Sequence, residues 1–221
     1  MRTIDKDIGS APLCLDKQPP NQKWDDFIGS ECHQEVHRHL RAEQHGLCCY
    51  CECELQEKEC HIEHLAPRKA APERTYDYSN LAISCNDRNH CGHYKDWKKS
   101  PCHWDAQKFS SPHDPKTVCM FSYSVVDGKI EAAGPDIARA QYLIDYLGLN
   151  YPKLTERRKA HANVIVDTLG ESPDIATIDF CLEHYLWPDQ TGQCKRFPSL
   201  SKAILERIFQ NLDFTPTSLN H

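Results

Sequence analysis

The residues best suited to chemistry lie in one stretch of the chain. Cys48-Cys49-Tyr50-Cys51 is a C-x2-C knuckle, and Cys85 and Cys91 follow 34 and 40 residues after Cys51. Two thiolates spaced this way can grip one zinc ion at a chain reversal, and a second thiolate pair would close a four-coordinate structural site. Cys53 and Cys60 are rival ligands, and a set of unligated buried cysteines is the alternative. Between the pairs runs Cys60-His61-Ile62-Glu63-His64-Leu65-Ala66-Pro67. As an extended strand it points His61 and Glu63 to one face and Ile62 and His64 to the other. A carboxylate suits a hard divalent ion such as Mg²⁺, and a neutral imidazole can accept the proton of attacking water. Together they suit metal-assisted hydrolysis of a phosphodiester. Alternatively, His61 or His64 completes the zinc site.

Composition agrees with a metal reading. The chain has 13 cysteines and 13 histidines in 221 residues, and seven of those cysteines fall between Cys48 and Cys91. No apolar core in the first 20 residues suggests a secretory signal, and no run approaches the ~18 apolar residues of a membrane helix. A soluble, cytoplasmic protein with reduced thiols and no membrane partner is therefore expected. Net charge is −6. It is unevenly spread, with a net of −5 over residues 31–65 and +3 over residues 66–100. Arg68, Lys69, Arg74, Lys95, Lys98 and Lys99 could hold phosphates, with solvated surface charge as the equal rival.

The elements that must position these groups can be read from periodicity. Residues 1–29, with Pro12, Pro19 and Pro20, read as irregular. A helix starts after Ser30, a fitting N-cap, with Val36, Leu40 and Leu47 as its sparse apolar positions and Gly46 suited to its stop. Residues 47–66 suggest a metal-bound hairpin, residues 67–72 a loop, and Asn80–Ile83 the start of a second ordered stretch. Residues 117–132 predict a strand pair turning at Asp127-Gly128. Four helices follow: one after Pro135 closing at Gly148, then Tyr151–Leu169, Asp174–Leu186 and Leu200–Leu212. Cys181, His184 and Cys194 could bind a second metal, but helix packing is the better reading. Trp97 and Trp104 could stack bases, with core packing again preferred.

The order of C-x2-C, [DE]-H-x-x-P, Asn80-Leu81, a second cysteine pair and Lys95 resembles a zinc-stapled HNH endonuclease of the ββα-metal type. The resemblance implies an α+β fold, with a ββα-metal core stapled by zinc and a mainly α-helical C-terminal part. The expected organisation is an irregular segment over 1–29, a nuclease core over 30–116, and a β-hairpin plus helices over 117–221. It also implies that Glu63 binds the catalytic Mg²⁺ or Mn²⁺, that His64 is the general base, and that Asn80 orients it. The family's last metal ligand falls on Gly92, counted from Lys95, and glycine cannot coordinate. His93 is the preferred replacement, with Asn89, His90 and His61 as alternatives.

A closer similarity covers residues 40–160. Gln44-x-Gly46-Leu47-Cys48-x-Tyr50-Cys51-Glu52, the HIEHLxP string, NLxxSCN, CGHxK and Tyr146-Leu-Gly-Leu-Asn150 resemble the PtuB-like nucleases of Septu and retron anti-phage systems. That resemblance implies a nucleic-acid substrate, DNA before RNA, and an ATPase partner of the PtuA kind. The competing reading is a zinc-binding adaptor in which the HIEH segment is structural.

Overall fold

The computed structural model describes residues 1–19, 22–56, 58–97 and 100–211. Pro20, Lys98, Lys99 and Leu212, all named above, lie outside them. Its architecture is α+β, with two small two-stranded sheets and seven helices among the described residues. Buried apolar side chains from Met1 to Phe209 form one continuous cluster.

The N-terminal segment is less irregular than expected. It contains a 3-10 turn (Ile8–Ser10) and one turn of α-helix, α1 (Trp24–Phe27), whose Trp24 and Phe27 are buried. Helix α2 (Glu31–Glu43) begins where its cap predicts: Ser30 Oγ accepts from the His33 N–H at 3.1 Å. Val36 and Leu40 form its buried stripe. The helix ends before His45 and Gly46, both of which have positive φ. Thiols were expected to stay reduced throughout; instead Cys14 and Cys32 are joined by a disulfide that ties this segment to α2.

The core motif follows. Strands β1 (Cys60–His64) and β2 (Leu81–Cys85) pair antiparallel, with Cys60 opposite Cys85 and His64 opposite Leu81. The short helix α3 (Cys91–Lys95) packs on β2. Gln44 locks the knuckle to this sheet, its amide donating to Leu47 O and Ile83 O and its oxygen accepting from Ile83 N, all within 2.9 Å. A buried side-chain amide serving three backbone groups satisfies polar atoms that would otherwise be costly.

The hairpin is shorter than the sequence suggests. Only β3 (Phe121–Tyr123) and β4 (Ile130–Ala132) pair, around a turn in which Gly128 has φ +71°. Residues Pro115–Met120 form a 3-10 helix instead of a strand. Pro115 suits a first helical position, and Asp114 caps it by accepting from Lys116 N–H at 3.0 Å. Helices α4 (Ile137–Tyr146), α5 (Pro152–Leu169), α6 (Ile175–Leu186) and α7 (Pro198–Asn211) match the predicted ones closely. The Tyr146–Asn150 string serves the frame: Leu147 O accepts from Cys91 N at 2.7 Å, and Asn150 exchanges two 2.8 Å bonds with Ile130. Among the described residues no helix is long and apolar enough to cross a membrane.

Candidate active site and thiolate cluster

The knuckle turn, the end of β2 and the start of α3 bring Cys48, Cys51, Cys85 and Cys91 together. Their sulfurs all lie within 4.8 Å of one another, and all four residues are buried. Tight chain reversals make this possible, with Glu52 at φ 61° and Cys91 at φ 63°. Four thiols this close cannot all ionise unaided. Burial alone would push Cys48 up, but hydrogen bonds from the neighbouring thiols favour its thiolate and hold it well below the usual range. The same hydrogen bonds, with Cys48 first, push Cys51 up. Burial, reinforced by Cys48, raises Cys91. A divalent cation resolves this competition, and the donor set fits a closed structural site such as zinc. Cys53 and Cys60 stand outside the cluster. No second metal group forms around Cys181, His184 and Cys194 among the described residues: Cys181 is in the core and Cys194 Sγ accepts from Arg2 at 3.4 Å.

The Glu63 carboxylate, one residue from the end of β1, is 2% exposed. Its Oε1 is gripped by Lys95 Nζ at 2.9 Å and by the Tyr50 hydroxyl, which donates at 3.1 Å. Its Oε2 faces His61 Nε2 at 3.2 Å, so the same-face expectation for His61 and Glu63 holds. Burial would raise this carboxyl, but Lys95 and His61 together lower it to about 2. Lys95 therefore does not serve as a phosphate contact. Its side chain has no exposure and is consumed by Glu63 and Asp96.

His64 points the other way. Its Nε2 lies 3.0 Å from Thr75 O. A carbonyl only accepts, so Nε2 carries the proton and Nδ1 keeps its lone pair. Burial holds the imidazole down to about 4, so it is neutral near pH 7. The Trp24 ring stands edge-on against it at 4.3 Å, and the Arg68 guanidinium lies 5.6 Å from the Trp24 ring. Asn80 bonds only to backbone. It accepts from Ala66 N at 2.8 Å and donates to Ala66 O and Arg74 O at 3.1 and 3.2 Å. Asn80 therefore ties down the loop that presents Thr75 O, with no bond from its amide to the His64 ring.

The candidates for the last ligand separate. His90 is buried at the thiols, its Nδ1 3.1 Å from Cys91 Sγ, and is no part of the Glu63 site. The Asn89 amide is tied to Asp87. The exposed His93 ring stacks on His61 with centroids 4.2 Å apart. Arg68 and Lys69 are exposed on the loop after β1.

Trp97 is not core. It is 53% exposed on a cavity of about 740 Å³ shared with Arg88, His93, Tyr94 and Tyr151. Trp104 does pack inward, against Phe109 and Tyr146. Sequence reading missed Trp24, which sits in a segment without a motif, and the role of Tyr50, whose place inside the knuckle was the only available signal.

No family model matches the chain. It is 34% identical over 135 residues to a Vibrio cholerae (serotype O1 biovar El Tor) protein described as "Retron Vc95 putative HNH endonuclease". That match covers 56% of this chain and 62% of the relative, less than two thirds of its length. With the β1–β2–α3 frame, the adjoining four-thiol cluster and the paired Glu63 and His64 already in place, the chain is similar over part of its length to a protein described as an HNH endonuclease.

Proposed function

We propose that the chain is a metal-dependent endonuclease that hydrolyses nucleic-acid phosphodiester bonds, with DNA as the favoured substrate. The observation that carries this reading is His64: a neutral imidazole with its proton committed to Thr75 O, beside a carboxylate held ionised. Such a histidine accepts a proton from water at Nδ1 near neutral pH. Glu63, with an imidazole of the stacked His61–His93 pair, would hold Mg²⁺ or Mn²⁺. The sequence-based choice for that imidazole is His93. The donor chemistry, one carboxylate oxygen and one imidazole nitrogen on a shared face, fits such an ion. When bound, the ion supplies positive charge for the scissile phosphate and leaving oxygen. Zinc in the Cys48–Cys51–Cys85–Cys91 cluster would hold β1, β2 and α3 in register. Arg68 and Lys69, exposed beside His64, would meet the phosphate backbone.

The adaptor reading needs His61 among the thiols. Its two nitrogens face Glu63 and Asn86 instead, which favours the enzyme. The retron description of the Vibrio relative, with the resemblance to PtuB-like nucleases, supports a role as effector of an anti-phage system working with a PtuA-like ATPase. The acidic net charge of −6 is consistent with a partner that supplies or gates nucleic-acid binding.

The test is cleavage of plasmid DNA and of total RNA with Mg²⁺ or Mn²⁺, by the wild type and His64→Ala, alone and with a co-encoded ATPase. The variant should lose about 10²- to 10⁴-fold in rate while keeping its zinc. Cleavage of RNA alone would redirect the substrate. Equal cleavage by both proteins, or none under any condition, would favour the adaptor.

A further inference from the structure

The position where the common HNH pattern carries its helix ligand is glycine here, and the structure shows what has taken the space. A Cβ built on Gly92 would lie 2.3 Å from Glu63 Oε2, 2.9 Å from Glu63 Cδ and 2.9 Å from His61 Nε2. The helix thus brings its backbone against the carboxylate, and His61 reaches into the volume that a side chain at 92 would need.

The hydrogen-bond pattern of His61 points the same way. Its Nδ1 lies 2.9 Å from Asn86 Oδ1, an acceptor, so Nδ1 carries the ring proton. Nε2 then faces Glu63 Oε2 at 3.2 Å, and in the metal-free chain a second ring proton, donated to that oxygen, closes the gap. A divalent ion would displace that proton and take the Nε2 lone pair and Oε2 together. Adjacent ligands of an octahedral ion with ~2.1 Å bonds lie about 3.0 Å apart, so the gap suits a small divalent ion. Asn86 plays the part that outer partners of ligating histidines usually play, fixing tautomer and ring orientation. Lys95 and Tyr50 occupy only Oε1, which leaves Oε2 for the ion.

We infer that His61, on β1, is the imidazole ligand of the catalytic divalent ion, replacing the helix ligand lost at Gly92, and that His93 covers the outer face of the His61 ring. This inference rests on the nuclease reading and deepens it. The ligand pair then comes from one strand at positions i and i+2, and glycine at 92 is what lets that strand pair fit beneath the helix.

The experiment is Mn²⁺ binding to the zinc-loaded, full-length chain, followed by electron paramagnetic resonance, with zinc content and circular dichroism as fold controls. His61→Ala should weaken Mn²⁺ binding about tenfold or more, at least the loss typical of an outer-shell partner. His93→Ala should change it by less. The variant H61A/G92H, which empties the strand site and refills the helix one, should recover much of the lost affinity. Should that double variant misfold, the two single alanine variants still decide. Binding lost in His93→Ala but kept in His61→Ala would overturn the inference while leaving the nuclease reading intact. No Mn²⁺ binding by the wild type, with cleavage also absent, would mean that the nuclease reading itself had failed.

Discussion

The thiol cluster and the Glu63–His64 site share the same small frame but are assembled on different principles. In the cluster, four identical donors converge within 4.8 Å and are shut off from solvent. Their positions follow from two tight backbone reversals, and one ion would satisfy all of them. In the Glu63–His64 site the groups are chemically unlike, and each is held by a different part of the chain. Tyr50 of the knuckle and Lys95 of α3 grip Glu63, the Thr75 carbonyl and Trp24 flank His64, and Asn86 steadies His61. A structural centre can therefore be built from spacing alone. A reactive one needs each group's protonation state set separately by its neighbours.

The largest effect that would sharpen this contrast is metal removal. Stripping the thiol cluster with a strong chelator, or Cys51→Ser, should unfold the β1–β2–α3 core, since structural zinc in small modules contributes on the order of 10 kcal/mol. Far-ultraviolet circular dichroism read against zinc content would show it. Adding Mg²⁺ should not restore the signal. Retention of full structure without zinc would make the cluster dispensable and erase the distinction.

Asn80→Ala should come next. It leaves the Ala66 and Arg74 backbone groups without their partner, at a cost of roughly 1–3 kcal/mol for each buried group orphaned. Because the Thr75 carbonyl loosens with that loop, cleavage should fall further than stability alone explains. A rate loss matching only the loss of folded protein would deny Asn80 any positioning role.

The smallest effect concerns the helical part. Burial holds His161 down to about 4, and its Nε2 meets Ser201 Oγ at 2.9 Å. An unfolded histidine titrates near 6.5, so the native state binds its proton later than the unfolded one. Its contribution is intact above about pH 6.5. As pH falls toward 4 it is lost at up to roughly 1.4 kcal/mol per unit, because only the unfolded chain gains the proton. His161→Gln should flatten the decline of Tm between pH 7 and pH 5 relative to the wild type. Parallel declines would exclude it.

Regular periodicity carried most of the fold. Helices α2 and α4 to α7 follow from apolar spacing, the Ser30 cap and helix-stopping glycines, because these signals are local. Thr117–Met120 was misread as strand, since its β-branched and apolar residues look extended until Pro115 and the Asp114 cap before them are weighed. Trp97 was misread as core for a similar reason: residue type says nothing about which way a ring will face just past the end of a short helix.

Amino-acid order alone determined which residues could bind metal, that a C-x2-C knuckle would pair with Cys85 and Cys91, and that Glu63 and His64 would be neighbours on one strand. Ligand spacing and strand alternation are properties of a few consecutive residues. Only the tertiary structure decided that Lys95 belongs to Glu63 and not to a phosphate, that Trp24 from an unmarked segment walls His64, and that His61 fills the space above Gly92. Those outcomes depend on which distant side chains converge on one carboxylate or one ring, and no local pattern encodes that convergence.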